Sequence, residues 1–99
     1  MKQSNLGFFE QVYEIVKKIP KGQVMTYGKI AQILKTKDVR KIGWALHANK
    51  DSDKVPCHRV VNKDGRLAPS YAFGGVDEQR VRLLVEGVEF IDHNHVKLD

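Results

Sequence analysis

The stretch Asp38-Val39-Arg40-Lys41-Ile42-Gly43-Trp44-Ala45-Leu46-His47-Ala48 decides how this chain folds. Val39, Ile42, Gly43 and Leu46 recur at i, i+3, i+4 and i+7, the spacing of one narrow buried stripe on a helix. Asp38 is a good N-cap, and its carboxylate suits the positive end of the helix dipole. The spacing therefore predicts a helix from Asp38 to about Ala48. Arg40, Trp44 and His47 fall on a different stripe, at i, i+4 and i+7. A cationic, aromatic and hydrogen-bonding face on a short helix suits DNA. It is also a common surface pattern, and Trp44 fits partial burial or another surface equally well.

Working toward the N-terminus, Lys35-Thr36-Lys37-Asp38 reads as a turn. Before it, Thr26 can cap a helix from Tyr27 to about Leu34, with Ile30, Ala31, Ile33 and Leu34 inward. Gln23-Val24-Met25 is a brief extended segment. Pro20-Lys21-Gly22 stops a first helix of about residues 6–19, for which Ser4 or Asn5 is the expected N-cap and Phe8, Val12, Ile15, Val16 and Ile19 the core face. Toward the C-terminus, residues 49–54 form a polar loop, and Val55-Pro56-Cys57-His58-Arg59-Val60 reads as a partly buried strand or strand end. Val60-Val61, a turn through Asp64-Gly65, and Arg66-Leu67 predict a small hairpin, a candidate wing beside the two short helices. Asp77 is the expected cap of a last helix to about Glu86, with Val81, Leu84 and Val85 inward and Gly87 as its stop. Val88 to Leu98 reads as a short β tail, in which His93 and His95 fit a solvated surface better than a metal site.

Ninety-nine residues suit one domain, 1–99, with one modest core. No apolar run is long enough to span a membrane, and the N-terminus lacks the apolar region of a signal peptide. One cysteine cannot form an internal disulfide, so a reducing, cytoplasmic setting is expected, nuclear if the source is eukaryotic. Lys and Arg number 17 against 12 Asp and Glu, a net +5 that suits a polyanionic partner without specifying one. The lone Cys57 has two readings, a nucleophile held between apolar flanks or a small buried hydrophobe.

Pro56-Cys57-His58-Arg59-Val60 resembles the active-site signature of the O6-alkylguanine-DNA alkyltransferases, the methylated-DNA–protein-cysteine methyltransferases. Gly22-x-Val24-x-Thr26-Tyr27-Gly28-x-Ile30-Ala31 resembles the family's opening helix-turn-helix segment, and Arg40-x-x-Gly43-x-Ala45-Leu46-x-x-Asn49 its recognition helix. Gly74-Gly75 and Leu83-Leu84-x-Glu86-Gly87 resemble its closing loop and helix. The pieces keep the family's order from about Phe8 to Val88. Trp44 stands where a small residue is expected, and the loop Lys50 to Lys54 lacks the usual prolines.

The resemblance implies a mainly α fold with a small β wing, a winged helix-turn-helix DNA-binding domain, with the family's separate N-terminal domain absent. It implies repair of O6-alkylguanine in double-stranded DNA by base flipping and irreversible alkyl transfer to Cys57. His58 would act as base through a bridging water and Glu86 would orient it. Arg40 would enter the base stack, Tyr27 would help rotate the nucleotide, and Trp44 and His47 would lie on the DNA face. Asn49 would tie the recognition helix to the active-site loop. Val60, Tyr71 and Gly74 would shape the pocket, Arg80 would help polarise the base, and Arg59 would be structural. No metal or other cofactor is implied, and a monomer is expected. Single-domain relatives, the alkyltransferase-like proteins, bind alkylated DNA and usually replace the cysteine. A lesion sensor that recruits other repair proteins is therefore the alternative, and a plain winged-helix regulator, which leaves Cys57 unused, is a third reading.

Overall fold

The computed structural model describes residues 7–68 and 73–98. Its elements run α1 (Phe8–Lys17), β1 (Met25–Thr26), α2 (Tyr27–Ile33), α3 (Val39–His47), a 3-10 turn (Cys57–Arg59), β2 (Val60–Val61), α4 (Gly75–Val85), β3 (Phe90–Asp92) and β4 (His95–Val96). This is a mainly helical domain with two minimal sheets. The N-cap of α1 is Gly7, with no side-chain cap, and Ser4 and Asn5 lie outside the described residues. The helix buries Val12 and Val16 fully, with Ile19 following just past its end.

The two short helices stand where their caps place them. Thr26 Oγ1 accepts from the Lys29 N–H at 3.1 Å, and Asp38 Oδ1 accepts from the Lys41 N–H at 3.3 Å. Each cap satisfies one amide that the first helical turn leaves open. The buried side of α3 is Ile42, Ala45 and Leu46, while Val39 is 43% exposed and Gly43 half-buried. The stripe is turned toward Ala45 because α3 packs on α1, where the Tyr13 hydroxyl donates to the Ala45 carbonyl at 2.7 Å. In α2 only Ile30 and Ala31 are buried, and Ile33 faces outward. The main core joins these helices through Val12, Val16, Ile30, Ile42 and Val60. At about 2 kcal/mol for each fully buried branched side chain, this core outweighs the two-residue strands in holding the fold.

The cysteine segment is a turn rather than a strand. Pro56 has φ −76° and ψ 71°, close to an inverse γ-turn, and the Cys57 N–H donates to the Val55 carbonyl at 2.8 Å. The proline ring already restricts φ to that range. The chain then winds through Cys57–Arg59, which sends Cys57 to Asn49 and the adjacent His58 and Arg59 together to Glu86, whereas a strand would put adjacent side chains on opposite faces.

The expected hairpin is replaced by longer-range pairing. β2 runs parallel to β1, with Met25 opposite Val60 and Thr26 opposite Val61, which staples the start of α2 to the exit of the cysteine turn. Residues 62–66 form a tight turn closed by the Asn62 N–H to the Arg66 carbonyl at 2.9 Å, with Gly65 at φ 86°. The β tail is present: β3 and β4 are antiparallel, and the segment returns to this turn. There the Leu67 N–H donates to the Asn94 carbonyl and the Val96 N–H to the Gly65 carbonyl, both at 2.9 Å. Val61, Leu67, Leu83, Val88 and Val96 form a second small core beneath it.

α4 differs most from the sequence reading. It starts at Gly75, capped by Gly74 at φ 120°, and Asp77 lies inside its first turn. Val81, Leu84 and Val85, expected inward, are 48%, 49% and 78% exposed, while Gln79 and Leu83 are wholly buried. The Gln79 amide bonds three backbone groups, and this sets the rotation of the helix against the apolar pattern. No helix among the described residues is long and apolar enough to cross a membrane.

Candidate active site

Cys57 is 5% exposed and meets Asn49, whose Nδ2 donates to the Val55 carbonyl at 2.9 Å and lies 3.6 Å from Cys57 Sγ. Asn49 Oδ1 accepts from the Asp51 N–H at 3.0 Å, so this buried side chain just past α3 ties the helix to the cysteine turn. Burial pushes the Cys57 thiol pKa up, with the Asn49 contact and the Arg82 charge acting in the opposite sense. The thiol is therefore protonated at neutral pH and needs a base to become a nucleophile.

The adjacent side chain is suited to that task. Burial pushes the His58 pKa down, opposed by the hydrogen bond to Glu86, which leaves the ring neutral near pH 7. His58 Nε2 lies 3.0 Å from Glu86 Oε2. Against a carboxylate acceptor this nitrogen carries the proton, so the lone pair resides on Nδ1. Nδ1 is buried and has no hydrogen-bond partner among the described residues.

Arg59, third in the turn, holds the carboxylate. Its Nε donates to Glu86 Oε1 at 3.0 Å and its Nη2 to Glu86 Oε2 at 2.7 Å, while Nη1 donates to the Ile19 carbonyl at 2.9 Å. The guanidinium holds the Glu86 pKa down to about 2. Glu86 is thus an anion at every working pH, fixed in the orientation His58 requires. A protonated thiol, a neutral imidazole and an orienting carboxylate are the parts of an activated cysteine nucleophile.

Tyr27, which packs against the core that contains Cys57, and Arg40 line a groove of about 670 Å³ with Gly43, Lys63, Arg66 and Ala68. Burial pushes the Tyr27 pKa up to about 12, so its hydroxyl remains a donor. Cys57 is not among the residues lining this groove. Lys63 and Arg66 escaped the sequence reading, although they flank the Asp64-Gly65 turn and could have been marked as a basic pair. Trp44, 58% exposed, and His47 lie on the outside of α3 and do not line the groove.

Other expected residues fall elsewhere. Val60 is fully buried, and its N–H donates to the Cys57 carbonyl, so backbone groups proposed to read a base are partly engaged within the protein. Arg80 Nη2 donates to Asp77 Oδ1 at 3.3 Å, and Gly74 is the exposed cap of α4. Tyr71 lies outside the described residues. Gln79, which sequence reasoning passed over, bonds the carbonyls of His58 and Val60. Among the described residues no group of three His, Cys, Asp or Glu could hold a metal; His93 is exposed and His95 Nδ1 bonds Asp92 at 2.9 Å.

A helix-turn-helix pair with a basic groove, carrying a buried cysteine next to an oriented imidazole–carboxylate pair, defines the class of a DNA-binding domain. The family model described as the 6-O-methylguanine DNA methyltransferase DNA-binding domain matches residues 7–88, and the chain belongs to that family. It is 40% identical over 83 residues to the methylated-DNA–protein-cysteine methyltransferase of Thermococcus kodakarensis, covering 83% of this chain and 45% of that protein. It is 33% identical over 92 residues to the DNA base-flipping protein of Vibrio parahaemolyticus, covering 92% of this chain and 90% of that one. The solved structure of S. pombe Atl1 in complex with damaged DNA containing O6-carboxymethylguanine superposes with a TM-score of 0.77 at 33% identity, covering 100% of this chain and 93% of that one. Against several curated methyltransferases and bifunctional methyltransferase/endonucleases, the chain spans only 28% to 51% of their length. These neighbours accord with the winged helix-turn-helix fold.

Proposed function

We propose that this chain repairs O6-alkylguanine in double-stranded DNA by flipping the damaged base and transferring the alkyl group irreversibly to Cys57. One observation carries the reading: a buried thiol is followed directly by a neutral imidazole whose Nε2 is committed to Glu86 and whose Nδ1 lone pair is unengaged. Removal of the thiol proton by His58, through a bridging water, generates the thiolate. Its sulfur attacks the alkyl carbon, an S–C bond forms, and the C–O6 bond breaks with its electron pair going to the guanine. The proton held on His58 equals the one the guanine anion needs, so the step balances without a cofactor. The thioether has no route back to the thiol, which makes the protein single-turnover.

The flipped base costs a few kcal/mol of stacking. Arg40 fills the gap in the stack and Tyr27 contacts the rotating nucleotide, while Trp44 and His47 lie along the DNA. Asn49, Val60, Tyr71 and Gly74 shape the pocket. In this reading the chain acts as an intracellular monomer, a single domain at residues 1–99. Arg80, held by Asp77 through Nη2, would help polarise the base.

A second reading has its own support. The raised thiol pKa, and the near full-length similarity to a base-flipping protein and to Atl1, fit a lesion sensor that binds alkylated DNA without transfer and recruits other repair proteins. Intact-mass measurement after incubation with an O6-methylguanine duplex separates the two. Transfer predicts one added methyl group, lost in Cys57→Ala. Lesion-selective binding with no mass gain selects the sensor, and a methyl group still acquired by Cys57→Ala refutes the role of Cys57.

A further inference from the structure

We propose that Gln79 is a positioning residue for this chemistry, one of two points at which α4 holds His58; the inference rests on the alkyl-transfer reading and deepens it. Gln79 is 0% exposed. Its Nε2 donates to the His58 carbonyl and to the Val60 carbonyl, both at 3.1 Å, and its Oε1 accepts from the Ala68 N–H at 2.8 Å. Two acceptors on one side and a donor on the other fix which way the amide points, because a flipped amide would set donor against donor. Both amide hydrogens are used.

The partners are not arbitrary. His58 and Val60 bracket Arg59 at the end of the cysteine turn, and Ala68 lines the groove that holds Tyr27 and Arg40. Glu86, which bonds the His58 ring, lies seven residues beyond Gln79, about two helical turns along α4 and on nearly the same face. α4 therefore grips the backbone of His58 through Gln79 and its ring through Glu86. With the ring contact alone, the imidazole can pivot about its bond to Glu86. With both, the direction of Nδ1 is set, and the wall at Ala68 is held in register with it. A glutamine is seldom fully buried unless its hydrogen bonds are met, and here they tie the base to the substrate wall.

Gln79→Met keeps the length of the side chain and removes the amide. In the full chain, the first-order transfer constant at saturating O6-methylguanine duplex is expected to fall about tenfold or more, with the dissociation constant for that duplex within about threefold of wild type. The 15N signals of the His58 ring should change from one neutral tautomer to a mixture. A folded variant that transfers within about twofold of wild type, or that loses rate and affinity in equal proportion, overturns the proposal. Should Gln79→Met not fold, Gln79→Glu serves. Its ionised carboxylate repels the two carbonyls and protonation restores a donor, so its deficit relative to wild type should shrink as pH falls, and a pH-independent ratio overturns the proposal. If the wild type acquires no methyl group, the alkyl-transfer reading fails by itself. The positioning role is then judged on the imidazole spectrum, and an unchanged spectrum in the variant refutes it.

Discussion

Replacing Glu86 by glutamine tests the centre of the site. Glu86 accepts at both oxygens, from Arg59 Nε and Nη2 at 3.0 and 2.7 Å and from His58 Nε2 at 3.0 Å. Every contact uses it as an acceptor, and a glutamine amide has one acceptor oxygen and one donor nitrogen. Whichever way the amide turns, a donor faces a donor, and Arg59 loses its counter-charge. Removing one partner of a buried pair costs about 3–5 kcal/mol. The lower end, about 3 kcal/mol, applies because Arg59 keeps its bond to the Ile19 carbonyl and its side chain is 15% exposed. For 99 residues this lowers Tm by about 15 °C. The pH dependence supplies the second reading. The Glu86 pKa is depressed in the folded state, so its contribution is complete above the ordinary 4.5 and is lost as pH falls toward about 2. Thermal unfolding followed by circular dichroism should therefore show a gap between wild type and Glu86→Gln that is widest near neutrality and narrows below pH 4.5. A neutral-pH difference under about 3 °C, or a gap that does not narrow in acid, refutes the account of the Arg59–Glu86–His58 chain.

Three further outcomes follow from the same geometry. With His58 as base, transfer is flat with pH above its lowered pKa and falls only on the acid side of 6.5; in His58→Ala the rate should be lower and climb with pH toward the raised thiol pKa, as stopped-time mass spectrometry can follow. Arg40→Ala should weaken lesion-duplex binding about tenfold, or about 1.4 kcal/mol, and reduce the fluorescence rise of a 2-aminopurine beside the lesion that reports unstacking. Gly65→Ala forces a side chain onto a residue at φ 86° and drives its Cβ into the Val96 carbonyl, so a destabilisation of about 2 kcal/mol and a Tm loss of about 10 °C are expected.

The parts of this domain written in local chemistry were legible, and those set by partners far along the chain were not. Thr26 and Asp38 announce α2 and α3 because a cap acts on amides three residues away. Cys57, His58 and Arg59 were legible as a motif, and Arg59 as a structural cation that reaches a carboxylate and a carbonyl. The shape of their segment was not, since valine flanks suggest a strand while Pro56 and a Val55–Cys57 hydrogen bond make a turn. The pairing of β2 with β1 joins residues 25–26 to 60–61, a separation no local pattern encodes. On α4, hydrophobic periodicity chose Val81, Leu84 and Val85 for the core. A polar residue won the buried position by meeting backbone groups from three other places, which an apolar count cannot register.

The tail gives the domain two different ends. The family model's match stops at residue 88, although the likeness to Atl1 covers the whole chain. By hydrogen bonding the domain continues to Lys97, whose N–H donates to the Glu89 carbonyl at 2.8 Å, with Asn94 and Val96 bonded to Leu67 and Gly65. Those bonds brace the turn that carries Lys63 and Arg66 to the rim of the groove. Swapping residues 7–88 into a relative would therefore carry over Cys57, His58 and Glu86 while leaving the rim without its prop. A chimaera cut at residue 88 should keep its thiol and lose grip on DNA, whereas one cut after residue 97 should keep both.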